Sequence, residues 1–202
     1  MKHPDNIEAL TSLPIDYIGF IFYPKSPRFV QQAHAIPVPD TIKKVGVFVN
    51  ETLENIRSKV KSHTLQAVQL HGSESSELCK TLQQQQLEVI KAFGIDSSFD
   101  WNQLVTYLDA VDYFLFDTKS PQHGGTGQTF DWEKLKEYPF DKPYFLSGGL
   151  SMANNAQAMA FDDERLIGLD LNSKFEIEPG LKDINLLTQA LKIIKNEQIS
   201  GK

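Results

Sequence analysis

The 202-residue sequence predicts an α/β fold in one domain: a (β/α)8 barrel whose first β-strand is missing. Three observations predict it. Short apolar, β-branched or aromatic runs alternate with longer helix-period segments from end to end, the pattern of a parallel sheet with right-handed crossovers. The runs are nearly unbroken in apolar character, as in "KKVGVFVN" and "VDYFLFDT", which suits strands covered on both faces. Finally, the count is uneven. The first regular segment is helical, and from there the chain reads eight helices against seven strands, whereas a TIM barrel has eight of each and begins with a strand.

Each element has a local reason. Pro4 suits a first helical turn, and "DNIEALTSL" continues that helix through Ile7 and Leu10. Strands are expected near Tyr17–Tyr23, Lys44–Val49, Ala67–Leu70, Val89–Phe93, Tyr113–Asp117, Tyr144–Ser147 and Leu166–Leu171. Between them, "TLENIRSKVKSH" repeats Leu53, Ile56 and Val60 at helical spacing. Asp183 is a plausible N-cap for the closing helix "DINLLTQALKIIKN". No low-complexity linker, charge block or composition break divides the chain, so residues 1–202 read as one domain.

Composition narrows the function. At 41% hydrophobic residues, a chain of this size can bury roughly 70% of its unfolded surface. No run of 18 apolar residues occurs, so no membrane span is expected. The polar start "MKHPDNIEAL" has no apolar signal core, and a cytoplasmic location is expected. The single cysteine, Cys79, rules out an internal disulfide and suits a reducing compartment. It sits in the helix-like "SSELCKTLQQ", where a structural role is the simpler reading. A net charge of −6 and a pI near 5.4 argue against a nucleic-acid partner. They leave an anionic small molecule open, because local groups decide that.

Loops that follow the strands build the active sites of parallel barrels. After the first strand, "PKSPR" is a loop stiffened by two prolines. Its Arg28 can present a planar fork to a carboxylate, or be an ordinary surface arginine. His71, after "VQL", can be an acid–base group, a pocket wall or a structural histidine. Asp117 follows four apolar residues at the end of "YFLFDT", where partial desolvation suits a general acid; capping the next turn is the plain alternative. "QHGGTGQTFDW" packs its glycines as a mobile lid would, Gly125 among them. In "LSGGLS", Gly148 and Gly149 expose backbone amides ahead of a helix expected near Ser151. "LDLNSKF" offers Asp170, Asn172 and Ser173 in the neighbouring loop. The loops after the last two strands are a common phosphate site in such barrels, so Gly148, Gly149, Asn172 and Ser173 are expected to bind phosphate.

With these residues assembled, the chain resembles the phosphoribosylanthranilate isomerase family of tryptophan biosynthesis. The motifs that carry the resemblance are "GFIFYPKSPRFV", "VGVFVN", "VQLHG", "FLFDT", "GGTGQTFDW", "LSGGL" and "LDLNSKFEIEPGLKD", in family order from Pro4 to about Asp183. The resemblance implies an Amadori rearrangement without metal or cofactor, in which N-(5′-phosphoribosyl)anthranilate becomes 1-(2-carboxyphenylamino)-1-deoxyribulose 5-phosphate. It implies Asp117 as general acid on the furanose oxygen, Arg28 on the anthranilate carboxylate, and the glycine and Asn172–Ser173 loops on the phosphate. His71, Gly125 and Asp170 complete the expected substrate contacts. Lys174 stands where many relatives carry glycine; it can add a cation near the phosphate or point outwards.

The family opens with a strand resembling K-x-C-G-M, whose cysteine is the general base. Met1 aligns with that methionine, so the chain is expected to begin about eight to ten residues late, one strand short of the barrel. Cys79 is expected on an outer helix and cannot stand in. Two exposed edges, at Tyr17–Tyr23 and Leu166–Leu171, are then expected to recruit another chain, giving a homo-oligomer, or to leave disorder nearby. The alternative from another class is a non-catalytic barrel that binds a phosphate ligand. Indole-glycerol-phosphate synthase is less well matched, since its catalytic lysine and longer N-terminal extension are not visible here.

Overall fold

The computed structural model describes residues 1–31, 38–119 and 129–200, with side chains through residue 195. Seven parallel strands form one sheet in sequence order: β1 (Tyr17–Ile21), β2 (Lys43–Phe48), β3 (Ala67–Leu70), β4 (Glu88–Ile95), β5 (Tyr113–Thr118), β6 (Tyr144–Leu146) and β7 (Leu166–Leu169). All seven match the sequence reading to within about two residues at each end. The sheet curls into an incomplete barrel with α1 (Pro4–Thr11), α2 (Leu53–His63), α3 (Ser76–Gln83), α4 (Asn155–Met159) and α5 (Ile184–Ser200) among its coverings. A hairpin of β8 (Glu176–Glu178) and β9 (Leu181–Lys182) follows β7.

Period-two alternation sorts the strands' two faces. One face builds an inner layer of Val45, Ala67, Ile90, Ala92 and Leu115, packed with Tyr17, Tyr113 and Phe145. Outward residues such as Phe48, Leu70, Phe114 and Phe116 join Ile56, Cys79 and Leu82 of the helices in the main core. Further along, on that inner face, the side chains turn polar: Gln69 and His71 after Ala67, Asp117 after Leu115, Ser147 after Phe145, Asp170 after Gly168. The strands thus carry an apolar floor and a polar mouth.

Helix content departs from the reading of eight. Among the described residues five α-helices form, while Trp101–Tyr107 and Trp132–Glu137 are 3₁₀ segments. Both are opened by an aspartate cap, Asp100 on Asn102 N–H and Asp131 on Glu133 N–H. The first is rich in residues of modest helix propensity, and Pro139 follows the second closely. At the sheet's ends, β1 and β7 pair on one side only within the seven-stranded sheet. Beyond β1, the Met1 main-chain nitrogen donates to Gly19 O at 2.6 Å, and Lys2 N–H reaches Gly180 O.

Cys79 is fully buried against α3's neighbours, and burial pushes its thiol up to about 11. A buried, protonated thiol is unreactive. Native protein at about pH 8 is therefore expected to resist a thiol reagent until denaturant exposes the side chain; rapid modification of the folded chain would contradict the core placement.

Candidate active site

The polar mouth opens into a cleft of about 1410 Å³ lined by His71, Asp117, Ser147, Asp170 and Arg28 among others. β3 continues its ladder through His71, whose N–H donates to Phe48 O at 2.8 Å. This fixes the imidazole over the mouth. His71 Nε2 lies 3.3 Å from Asp117 Oδ2, and Nδ1 lies 2.9 Å from Gln69 Nε2. The Gln69 amide nitrogen can only donate, so Nδ1 accepts and the network assigns the ring proton to Nε2, which faces Asp117. Asp117 is buried, and its Oδ1 accepts the Thr118 N–H at 2.7 Å.

The loop after β6 closes over this pair because residue 148 is glycine. Its φ is +85°, and a Cβ would stand 2.6 Å from Asp117 Oδ1 and 2.5 Å from Thr118 Oγ1. Ser147 Oγ donates to Asp170 Oδ2 at 3.1 Å. Burial pushes the Asp170 carboxyl above its ordinary value, the Lys182 charge opposes this, and the Asp117 charge adds to it. Two carboxyl groups therefore face one cleft, and burial raises that of Asp170.

Gly148, Gly149, Asn172 and Ser173 all line the same cleft, in adjacent loops. The helix expected from Ser151 instead begins at Asn155, because Asn154 Oδ1 accepts the Ser151 N–H and closes a turn first. Asn172 is held from behind by Lys182, whose Nζ donates to Leu171 O, Asn172 O and Asn172 Oδ1. Lys182 is itself pinned by Asn6 of α1, through reciprocal bonds at 2.8 and 2.9 Å. A short 3₁₀ turn, Ser173–Phe175, follows. Lys174 within it is exposed and lies outside the cleft lining. Gly125 and the expected lid fall outside the described residues.

Arg28 is not an idle surface arginine. Its Nε and Nη2 edge grips Glu176, with Nη2–Oε2 at 2.7 Å and side-chain exposures of 14% and 3%. Burial pushes the Glu176 carboxyl up; the Arg28 hydrogen bonds and the Lys182 charge outweigh it and leave the group below its ordinary value. A depressed carboxylate contributes stability above the unfolded value and loses it as pH falls through the folded one. Glu176→Gln is expected to cost about 3 kcal/mol at neutral pH by stranding Arg28 and Lys182. The gap from wild type should narrow on acidification through the carboxylate range, measured by urea melts at several pH values. Equal stability at neutral pH would contradict the role given to this pair.

Sequence reasoning missed Glu176, Lys182, Gln69 and Ser147. The "PG" turn between two short alternating segments signals the β8–β9 hairpin, and charged residues inside it were the available cue. Gln69 and Ser147 each come two residues after an inner-layer residue, Ala67 and Phe145, a cue only period two makes visible.

Fold and mouth together define a class: a parallel α/β barrel protein with carboxyl groups, an imidazole and glycine-rich loops gathered at the strands' carboxyl ends. The family model for N-(5'phosphoribosyl)anthranilate (PRA) isomerase matches residues 1–193. The chain belongs to that family. It is 44% identical over 192 residues to the N-(5'-phosphoribosyl)anthranilate isomerase of Parabacteroides distasonis, covering 93% of this chain and 87% of that protein. The crystal structure of phosphoribosyl anthranilate isomerase from Thermotoga maritima superposes with a TM-score of 0.82 at 33% identity, over 97% of this chain and 96% of that one. A crystal structure of the isomerase in complex with reduced 1-(o-carboxyphenylamino)-1-deoxyribulose 5-phosphate matches at a TM-score of 0.79 and 30% identity, over 97% and 95%.

Proposed function

We propose that this chain isomerises N-(5′-phosphoribosyl)anthranilate within tryptophan biosynthesis, as its family membership implies. One observation carries the reading at the level of residues: Asp117, His71 and Asp170 converge on one cleft whose rim holds Arg28 on one side and the Gly148–Gly149 and Asn172–Ser173 loops on another. Phosphate would bind at those two loops and the anthranilate carboxylate at Arg28, with Gly125 of the lid and Asp170 as further substrate contacts. Asp117 would give its proton to the furanose ring oxygen. As the C1′–O bond breaks, the anthranilate nitrogen lone pair forms the Schiff base. Loss of the C2′ proton then gives an enolamine, which tautomerises to the ketose. His71, donating through Nε2, would hold Asp117 oriented during this exchange.

The C2′ proton needs a base, and the family resemblance assigns it to a cysteine in a K-x-C-G strand. Among the described residues no cysteine lines the cleft; Cys79 lies in the outer core. The second reading is a phosphate-ligand-binding barrel without turnover. Calorimetry with the reduced product analogue, alongside a fluorescence assay for loss of the anthranilate substrate, separates the two. Binding with conversion supports the isomerase; binding with none supports the second reading. Self-association through the edges of β1 and β7 is part of the same proposal, and a strictly monomeric light-scattering mass at all concentrations would contradict it. No helix among the described residues is long and apolar enough to cross a membrane; a cytoplasmic location belongs to the same proposal.

A further inference from the structure

Two charges outside the cleft are deeply buried. Lys91 projects from the outer face of β4, and its side chain and that of Glu74 are only 2% and 1% exposed. Lys91 Nζ lies 3.3 Å from Glu74 Oε2 and donates to Leu70 O at 3.1 Å, Gly72 O at 2.8 Å and Ala92 O at 3.1 Å. Glu74 in turn accepts the Gly72 N–H at 2.9 Å and the Asn50 N–H at 2.7 Å. Asn50 Oδ1 then accepts the Ser73 N–H at 2.7 Å. Residue 72 fits this grip only as glycine, since a Cβ would meet Asn50 Oδ1 at 2.5 Å.

Most of these bonds land on one short segment. Leu70 O and Gly72 O flank His71, and the amides of Gly72 and Ser73 follow it. Burying a full ion pair is costly, and an apolar pair of similar size often serves a core equally well. What an apolar pair cannot do is hold two carbonyls and an amide of the same turn.

We infer that Lys91 and Glu74 are positioning residues for His71: they clamp residues 70–73 so that the imidazole stays within reach of Asp117. The inference rests on reading His71 as a working group of the cleft. Neither residue touches the cleft itself; both act from the far side of the sheet, through the backbone of a single turn.

The test is the double variant Lys91→Met/Glu74→Gln, which removes both charges, since Lys91→Met alone would strand a buried carboxylate. The ring ¹⁵N signals of His71, assigned with His71→Asn, report the tautomer directly. Wild type is expected to show the Nε2–H form alone. The double variant, folded by circular dichroism, is expected to show averaged signals from both tautomers. Its kcat should fall about tenfold with KM nearly unchanged, because small misplacements of a catalytic group are costly. Asn50→Gly covers the case where the double variant does not fold. That residue is exposed, its φ of +52° suits glycine, and the buried pair is left intact; the same changes are expected in smaller measure. Wild-type ring signals and wild-type kcat in the folded variants, with only a lowered Tm, would overturn the inference and leave the pair as a stability element. The ring readout needs no turnover, so a chain inactive for other reasons still decides the matter.

Discussion

Replacing Asp117 with asparagine is expected to lower isomerase turnover by about 10²–10⁴-fold, the usual contribution of a positioned acid, with little change in affinity for the reduced product analogue. The variant is nearly isosteric, and its carbonyl can still accept the Thr118 N–H that Asp117 Oδ1 accepts now. The site's shape should therefore survive while its proton donor is gone. Removing the Asp117 charge also takes away one of the causes that raise the Asp170 carboxyl, so Asp170 should ionise more readily in the variant. Its stability should stay within about 1 kcal/mol of wild type. Wild-type kcat in a folded Asp117→Asn protein would remove the acid from the mechanism.

A second large effect is expected from residues joined ahead of Met1. Joining a Lys-x-Cys-Gly segment ahead of Met1 should raise turnover by about 10²–10⁴-fold, the usual worth of a positioned base. The geometry favours its docking. Met1 is buried, and its main-chain nitrogen already donates to Gly19 O on the edge of β1. A segment ahead of it would follow that edge, between β1 and β7, with its cysteine beside a cleft that Gly19 and Gly168 help to line. Each new ladder hydrogen bond should add about 1 kcal/mol, so the extended chain should melt later as well. A Lys-x-Ser-Gly control separates the two effects: it should gain stability without gaining turnover.

Much of this was legible in the sequence, and what was not has physical reasons. The seven strands were readable because each is a short, mostly apolar run, buried almost throughout in β3, β4 and β5, and the cleft's Asp117, His71 and Asp170 because they stand just past such runs. Arg28 was readable as a residue but not as half of an ion pair. Its partner Glu176 lies 148 positions away, and nothing local links them. The count of eight helices failed where 3₁₀ segments form at Trp101 and Trp132, since three- and four-residue spacings look alike over so few turns. The Lys91–Glu74 pair was invisible for a different reason. A lysine inside the apolar run "VIKAF" reads as a strand residue facing solvent, and only the close packing of β3 against β4 reveals three carbonyls awaiting its ammonium.

The central claim, that this fold and cleft perform an isomerisation rather than only hold a phosphate ester, is tested most directly by following loss of anthranilate fluorescence from N-(5′-phosphoribosyl)anthranilate. The chain carrying the Lys-x-Cys-Gly opening is measured beside the same chain with Asp117→Asn. The account predicts turnover in the first and a loss of at least about a hundredfold in the second. Both proteins folded and both binding the reduced product analogue, yet neither converting substrate, would contradict it.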